Sequence, residues 1–82
     1  MSEKHITVEI LSPEKTVFKG DAKAVFLPSV LGNFEVLPGH AAVVAALEKG
    51  SVIVRADVEK KFEIKSGIAR VKNNVVTVCV EL

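Results

Sequence analysis

The chain has 82 residues, and its eleven Lys and Arg against ten Asp and Glu leave a formal charge of +1. That balance excludes the clustered basic excess of a nucleic-acid footprint and of an electrostatically held membrane anchor. A chain this short makes one domain, spanning 1–82, and buries roughly 60% of its unfolded surface; with 49% hydrophobic residues it has enough apolar material for a compact core.

Ile6, Val8 and Ile10 alternate with Thr7 and Glu9, the period of a strand with one buried face, and Ser12-Pro13-Glu14-Lys15 is the turn that ends it. Thr16 to Lys19 predicts a second short strand, stopped by Gly20-Asp21. Ala22 to Leu27 predicts a third, ended by Pro28. Its faces, Ala24 and Phe26 against Val25 and Leu27, are both apolar, so it should be buried on both sides or meet a partner. Ser29 to Gly32 then reads as a loop carrying two exposed apolar residues, Val30 and Leu31.

Gly32 to His40 is the stretch around which the rest is arranged. Phe34 and Val36 alternate with Asn33 and Glu35 as in a half-buried strand. Gly32 supplies a positive φ for the turn into it, Pro38 has no N–H for a sheet ladder, and Gly39 permits a sharp change of direction before His40. In the following segment, Ala41 to Lys49, the alanines favour helix and Val43-Val44 favour strand, and a helix here would be capped by Gly50.

Ser51 to Ala56 predicts a strand with Val52 and Val54 on one face. Asp57 marks a turn, Glu59-Lys60-Lys61 a solvated hairpin tip, and Phe62 and Ile64 another half-exposed strand. Asn73-Asn74 suits a two-residue type I′ turn. That turn sets Lys72 opposite Val75, Val71 opposite Val76, Arg70 opposite Thr77 and Ala69 opposite Val78. Ala69, Val71, Val76, Val78 and Val80 then share one face. Short strands at this spacing, punctuated by Pro, Gly and Asn, indicate an all-β fold, a sandwich or flattened barrel.

No catalytic constellation is visible. His5, His40 and Cys79 are too scattered for a tetrahedral metal site. His40 reads as a hydrogen-bonded turn residue and Cys79 as a packed strand residue at the back of the sheet. No glycine-rich nucleotide loop occurs, so no cofactor is expected. One cysteine forms no internal disulfide and fits a reducing compartment. Met1 to His5 lacks the apolar run of a signal peptide. The longest wholly apolar run, Ala41 to Leu47, has seven residues, against the ~20 that span a bilayer as helix. Direct lipid insertion is therefore not expected, and membrane association would go through a protein partner.

Gly32-x-x-x-Val36-Leu37-Pro38-Gly39-His40 resembles the Gly-x-Leu-Gly-Ile-Leu-Pro-Gly-His segment of the epsilon subunit of rotary F-type ATP synthases. Ile10-Leu11-Ser12-Pro13, Phe18-Lys19-Gly20 and Lys65-Ser66-Gly67 are similar to further pieces of that family in the same order. Glu35, Ile68 and Ala42 depart from it, standing where glycine, glycine and proline are frequent. The resemblance implies a β-sandwich of about ten short strands, with Ala41 to Leu47 as strand. It implies a non-catalytic central-stalk subunit that binds gamma and rests on the c-ring, coupling ion-driven rotation to ATP synthesis. That placement is peripheral, on the cytoplasmic face of the bacterial inner membrane. The c-ring contact maps to Leu31, Gly32 and Asn33, and the gamma contact to Leu37, Pro38, Gly39 and His40. Asn33 stands where an acidic residue is frequent, so the resemblance does not carry a charge pair with the ring over to this chain, and a neutral hydrogen bond could serve instead. Family members commonly add a C-terminal helical hairpin that restrains ATP hydrolysis; the sequence stops at Leu82, at the end of the last expected strand, with no amphipathic segment after it, so that restraint is not expected of these residues. The reading from another class is a free-standing β-sandwich binding or carrier module, which would display a modified lysine at a hairpin tip.

Overall fold

The computed structural model describes residues 5–82; Met1 to Lys4, part of the segment read as lacking a signal peptide, lie outside the described residues. Nine strands occur among them and no helix: β1 (Ile6–Leu11), β2 (Thr16–Ala22), β3 (Ala24–Ser29), β4 (Gly32–Val36), β5 (Val43–Leu47), β6 (Gly50–Arg55), β7 (Lys60–Ile64), β8 (Ser66–Lys72) and β9 (Val75–Glu81). They hydrogen-bond in the order β2-β1-β9-β8-β5-β3-β6-β7, and β4 pairs with β3. The sheet turns a corner between β5 and β3, where only Ser29 and Leu47 are paired. Five strands lie on one side of that corner and four on the other. Every strand sends at least one side chain into a single core, from Ile6, Val8 and Ile10 in β1 to Val76, Val78 and Val80 in β9. This is the predicted β-sandwich. Its open end, between β2 and β7, is closed by side chains, with the Phe18 and Phe62 rings 5.7 Å apart.

The last hairpin has the predicted register, from Lys72 opposite Val75 to Ala69 opposite Val78. Asn73 and Asn74 adopt φ of 52° and 63°, as a type I′ turn requires. The first and last strands, β1 and β9, run parallel and side by side. β3 is buried on both faces, with Ala24, Val25 and Leu27 all inside.

Several boundaries differ from the sequence reading. β2 does not stop at Gly20-Asp21. Those residues pair with Val8 and Thr7, because β1 extends back to Ile6 and offers them partners. Gly20 serves close packing instead, since a Cβ there would lie 3.2 Å from the Phe18 ring. Pro28 does not end β3 either. It pairs with Asn33, and its carbonyl accepts from the Glu48 N–H at 2.9 Å. Ser29 and Gly32 close the hairpin, so Pro28, one residue along, turns its nitrogen away from β4 and no bond to β4 is lost. The turn itself is only Val30-Leu31. Gly50 starts β6 rather than capping a helix. Lys60 and Lys61 lie in β7, exposed, and not at a hairpin tip. Cys79 is exposed, not packed: Val78 and Val80 face the core, so the residue between them points out.

Candidate docking surface

The β3–β4 hairpin ends in an apolar tip held rigid from beneath. Leu31 is 96% exposed and Val30 53%. Ser29, buried at 5%, accepts a hydrogen bond from the Leu31 N–H on its Oγ at 3.1 Å. The Val30 N–H donates to the Ala46 carbonyl at 3.1 Å, fastening the tip to β5. Gly32, at φ 122°, then starts β4 in a conformation closed to most side chains. Asn33 and Glu35 point outward. Val36 is fully buried and Phe34 packs half-buried against the core.

The chain leaves β4 through a second fixed turn. Gly39 has φ 86°, the His40 N–H donates to the Leu37 carbonyl at 3.1 Å, and the Gly39 N–H donates to the Asn74 side-chain oxygen at 2.8 Å. His40 Nδ1 donates to the Ala41 carbonyl at 2.7 Å, and its ring lies 6.1 Å from that of Phe34. The hydrogen-bonded turn role expected of His40 is therefore met.

Between tip, turn and β5 lies an open cleft of about 550 Å³, lined by Leu31, Gly32, Asn33, Phe34, His40 and Val44 among others. It unites two sets of residues that the sequence reading kept apart. Leu31, Gly32 and Asn33 share it with His40, while Leu37 faces a separate depression beside Glu35 and Arg55. Val44, 69% exposed, is the member that sequence reasoning missed. It lies in the segment whose helix and strand signals conflict. Among the described residues no three metal-binding side chains cluster. This surface offers shape, apolar area and main-chain groups.

A family model for the beta-sandwich domain of the ATP synthase delta/epsilon chain matches residues 5–82. The chain belongs to this family. It is 43% identical over 76 residues to the ATP synthase epsilon chain of Synechococcus elongatus, and 40% identical over 78 residues to that of Nostoc punctiforme. Both alignments cover 92% of this chain but only 56% and 57% of those relatives, so it spans little more than half their length. In a cryo-EM structure of the Euglena gracilis mitochondrial ATP synthase, comprising OSCP, F1 and c-ring, one chain superposes with a TM-score of 0.90 at 20% identity, over 98% of this chain and 52% of that one. A chain of the Tetrahymena thermophila mitochondrial ATP synthase central stalk and c-ring superposes with a TM-score of 0.81 at 16% identity, over 99% and 66%. These two likenesses establish the fold.

As an ATP synthase delta/epsilon-type sandwich, the domain turns charged residues outward on both sides, Glu9, Arg70 and Lys72 on the five-stranded one, and exposes apolar residues there as well. The five-stranded side exposes Val44, Ile68 and Val75, and the tip beside it adds Val30 and Leu31. The four-stranded side carries Glu35, Lys61, Glu63 and Arg55 outward.

Proposed function

We propose that the chain works as the β-sandwich of an epsilon subunit in a rotary F-type ATP synthase, without a catalytic role of its own. On this reading it binds gamma through Leu37, Pro38, Gly39 and His40, and docks on the c-ring through Leu31, Gly32 and Asn33. Ion-driven rotation passes through this joint to the head that makes ATP. The domain sits at the cytoplasmic face of the bacterial inner membrane, held there by its partners. The observation that carries the reading is the Val30-Leu31 tip, an apolar turn projecting from a domain of this family yet fastened to Ser29 and Ala46. A joint that transmits torque needs a surface that does not give, and an exposed apolar patch marks a protein contact. Co-purification with gamma, followed by capture of that pair on isolated c-rings, tests it. Binding to both at micromolar concentration is the expected result. Failure to bind gamma overturns the reading.

A further inference from the structure

Strand pairing sets the outer face of the five-stranded side into rows. Leu11, Cys79, Ile68 and Ala46 are successive partners across β1, β9, β8 and β5 and make an apolar row. Beside it run Lys19, Glu9, Thr77, Arg70 and Val44, and beyond those Thr7, Val75 and Lys72. All turn outward, because their chain neighbours, such as Val8, Ile10, Val78 and Ala69, face the core. Leu11, Cys79 and Ile68, the last 56% exposed, line an open cleft. Glu9 and Arg70 stand two strands apart and enter no ion pair among the described residues.

The order of charge and apolar surface is self-complementary about β9. A two-fold axis along β9, lying in the plane of contact, brings β1 against β8 of a second copy. Glu9 then meets Arg70 of the second copy, Arg70 meets its Glu9, and Leu11 meets its Ile68. Val75, Thr77 and Cys79, on the axis, each meet their own counterparts. Lys19 lies over Val44 and Lys72 over Thr7, so no cation opposes a cation, and Glu81 at the rim opposes only itself. The perpendicular axis, along the Glu9 row, would set Glu9 on Glu9, Arg70 on Arg70 and Lys19 on Lys19. The charges therefore select one geometry, and it keeps the stacked strands aligned, as packed sheets prefer.

We propose that a second copy of the chain covers this face in the unassembled protein, stacked about the β9 axis. An acid and a base set symmetrically about an apolar centre are what an isologous contact needs, since each copy supplies what the other lacks. Strands about 4.8 Å apart and some six residues of about 3.4 Å each give a face of roughly 24 by 20 Å. The pair would bury on the order of 1,000 Å², the size of a transient contact. This pairing is independent of the gamma and c-ring contacts proposed above: Leu31, Asn33 and Leu37 lie off these rows.

Sedimentation of the 82-residue chain up to millimolar concentration should show the mass doubling. Glu9→Arg and Arg70→Glu should each weaken that association about tenfold or more, by setting like charges together. An equal mixture of the two single variants should associate as the parent does, because every charge then meets its opposite across the axis. A short bis-maleimide should join copies through Cys79 in the parent and in the mixture, and more slowly in either variant alone. A parent that stays monomeric throughout overturns the proposal. So does association of both single variants at parental strength, or a mixture that fails to associate. Loss of gamma capture in both variants, with no self-association of the parent, would give the face to gamma and also overturns it.

Discussion

The Gly39 N–H donates to Asn74 Oδ1 at 2.8 Å, fixing the Pro-Gly-His turn to a hairpin 35 residues further along the chain. Asn74 holds three things at once. Its φ of 63° makes the type I′ turn, its carbonyl accepts from the Thr7 N–H at 2.9 Å, and its side chain accepts from Gly39. Asn74→Gly keeps the turn and loses only the side-chain acceptor, and should cost about 1 kcal/mol. Asn74→Ala adds left-handed strain and should cost about 1 kcal/mol more. Asn74→Asp keeps the acceptor and should stay closer to the parent than Asn74→Ala. Urea unfolding of the three variants checks the order.

Gly67 in β8 is crossed closely by β9. A Cβ at this position would sit 2.6 Å from the Cys79 carbonyl oxygen and 3.3 Å from the Val80 Cα. Both are backbone and cannot swing aside. Gly67→Ala should therefore cost about 1–3 kcal/mol, lowering the melting temperature by roughly 4–8 °C for each kcal/mol in a domain of this size. Calorimetry reads it.

Asn33 and Phe34 are neighbours with opposite duties. Phe34→Ala empties a half-buried site against the core and should cost about 2–3 kcal/mol. Asn33→Trp, on the exposed side, should leave the melting temperature within about 5 °C and lower ATP synthesis in membrane vesicles by obstructing the ring joint. A large loss of melting temperature in Asn33→Trp would make Asn33 scaffold. Normal melting with intact coupling would remove the Leu31-Gly32-Asn33 contact.

Cys79 faces solvent, and the folded chain should be labelled by a water-soluble maleimide without denaturant. Cys79→Ser should be tolerated, with a stability change within about 0.5 kcal/mol. Mass spectrometry of the native protein after brief exposure to the reagent is sufficient.

The last hairpin was legible because two independent signals agree there: one apolar and one polar face on each strand, and an Asn-Asn pair that only a tight turn explains. The turn glycines Gly32 and Gly39 were legible for a similar reason, since their positive φ is a local demand. Gly20 and Pro28 misled because local punctuation is overruled when a neighbouring strand needs pairing or when the missing N–H faces no partner. Cys79 was misplaced although the hairpin register already put it opposite Ile68, on the outward face. The cleft at Val44 was not legible at all. It exists because β3 departs from β5 at Val30, an event that depends on residues far apart in sequence.

The side-by-side placement of β1 and β9 bears on how the chain is made. The first strand completes its pairing only with the last one, and β9 lies between β1 and β8 in the sheet. A nascent chain short of Val75 has β1 and β2 as one hairpin and β8 as the rim of a separate fragment, with no bridge between them. At ordinary translation speeds, about 5–20 residues per second, the apolar faces of Ile6, Val8 and Ile10 stay uncovered for roughly 4–14 seconds before Glu81 is made. The sandwich can close only after β9 has been made, and its fate in that interval is set by whatever shields those residues.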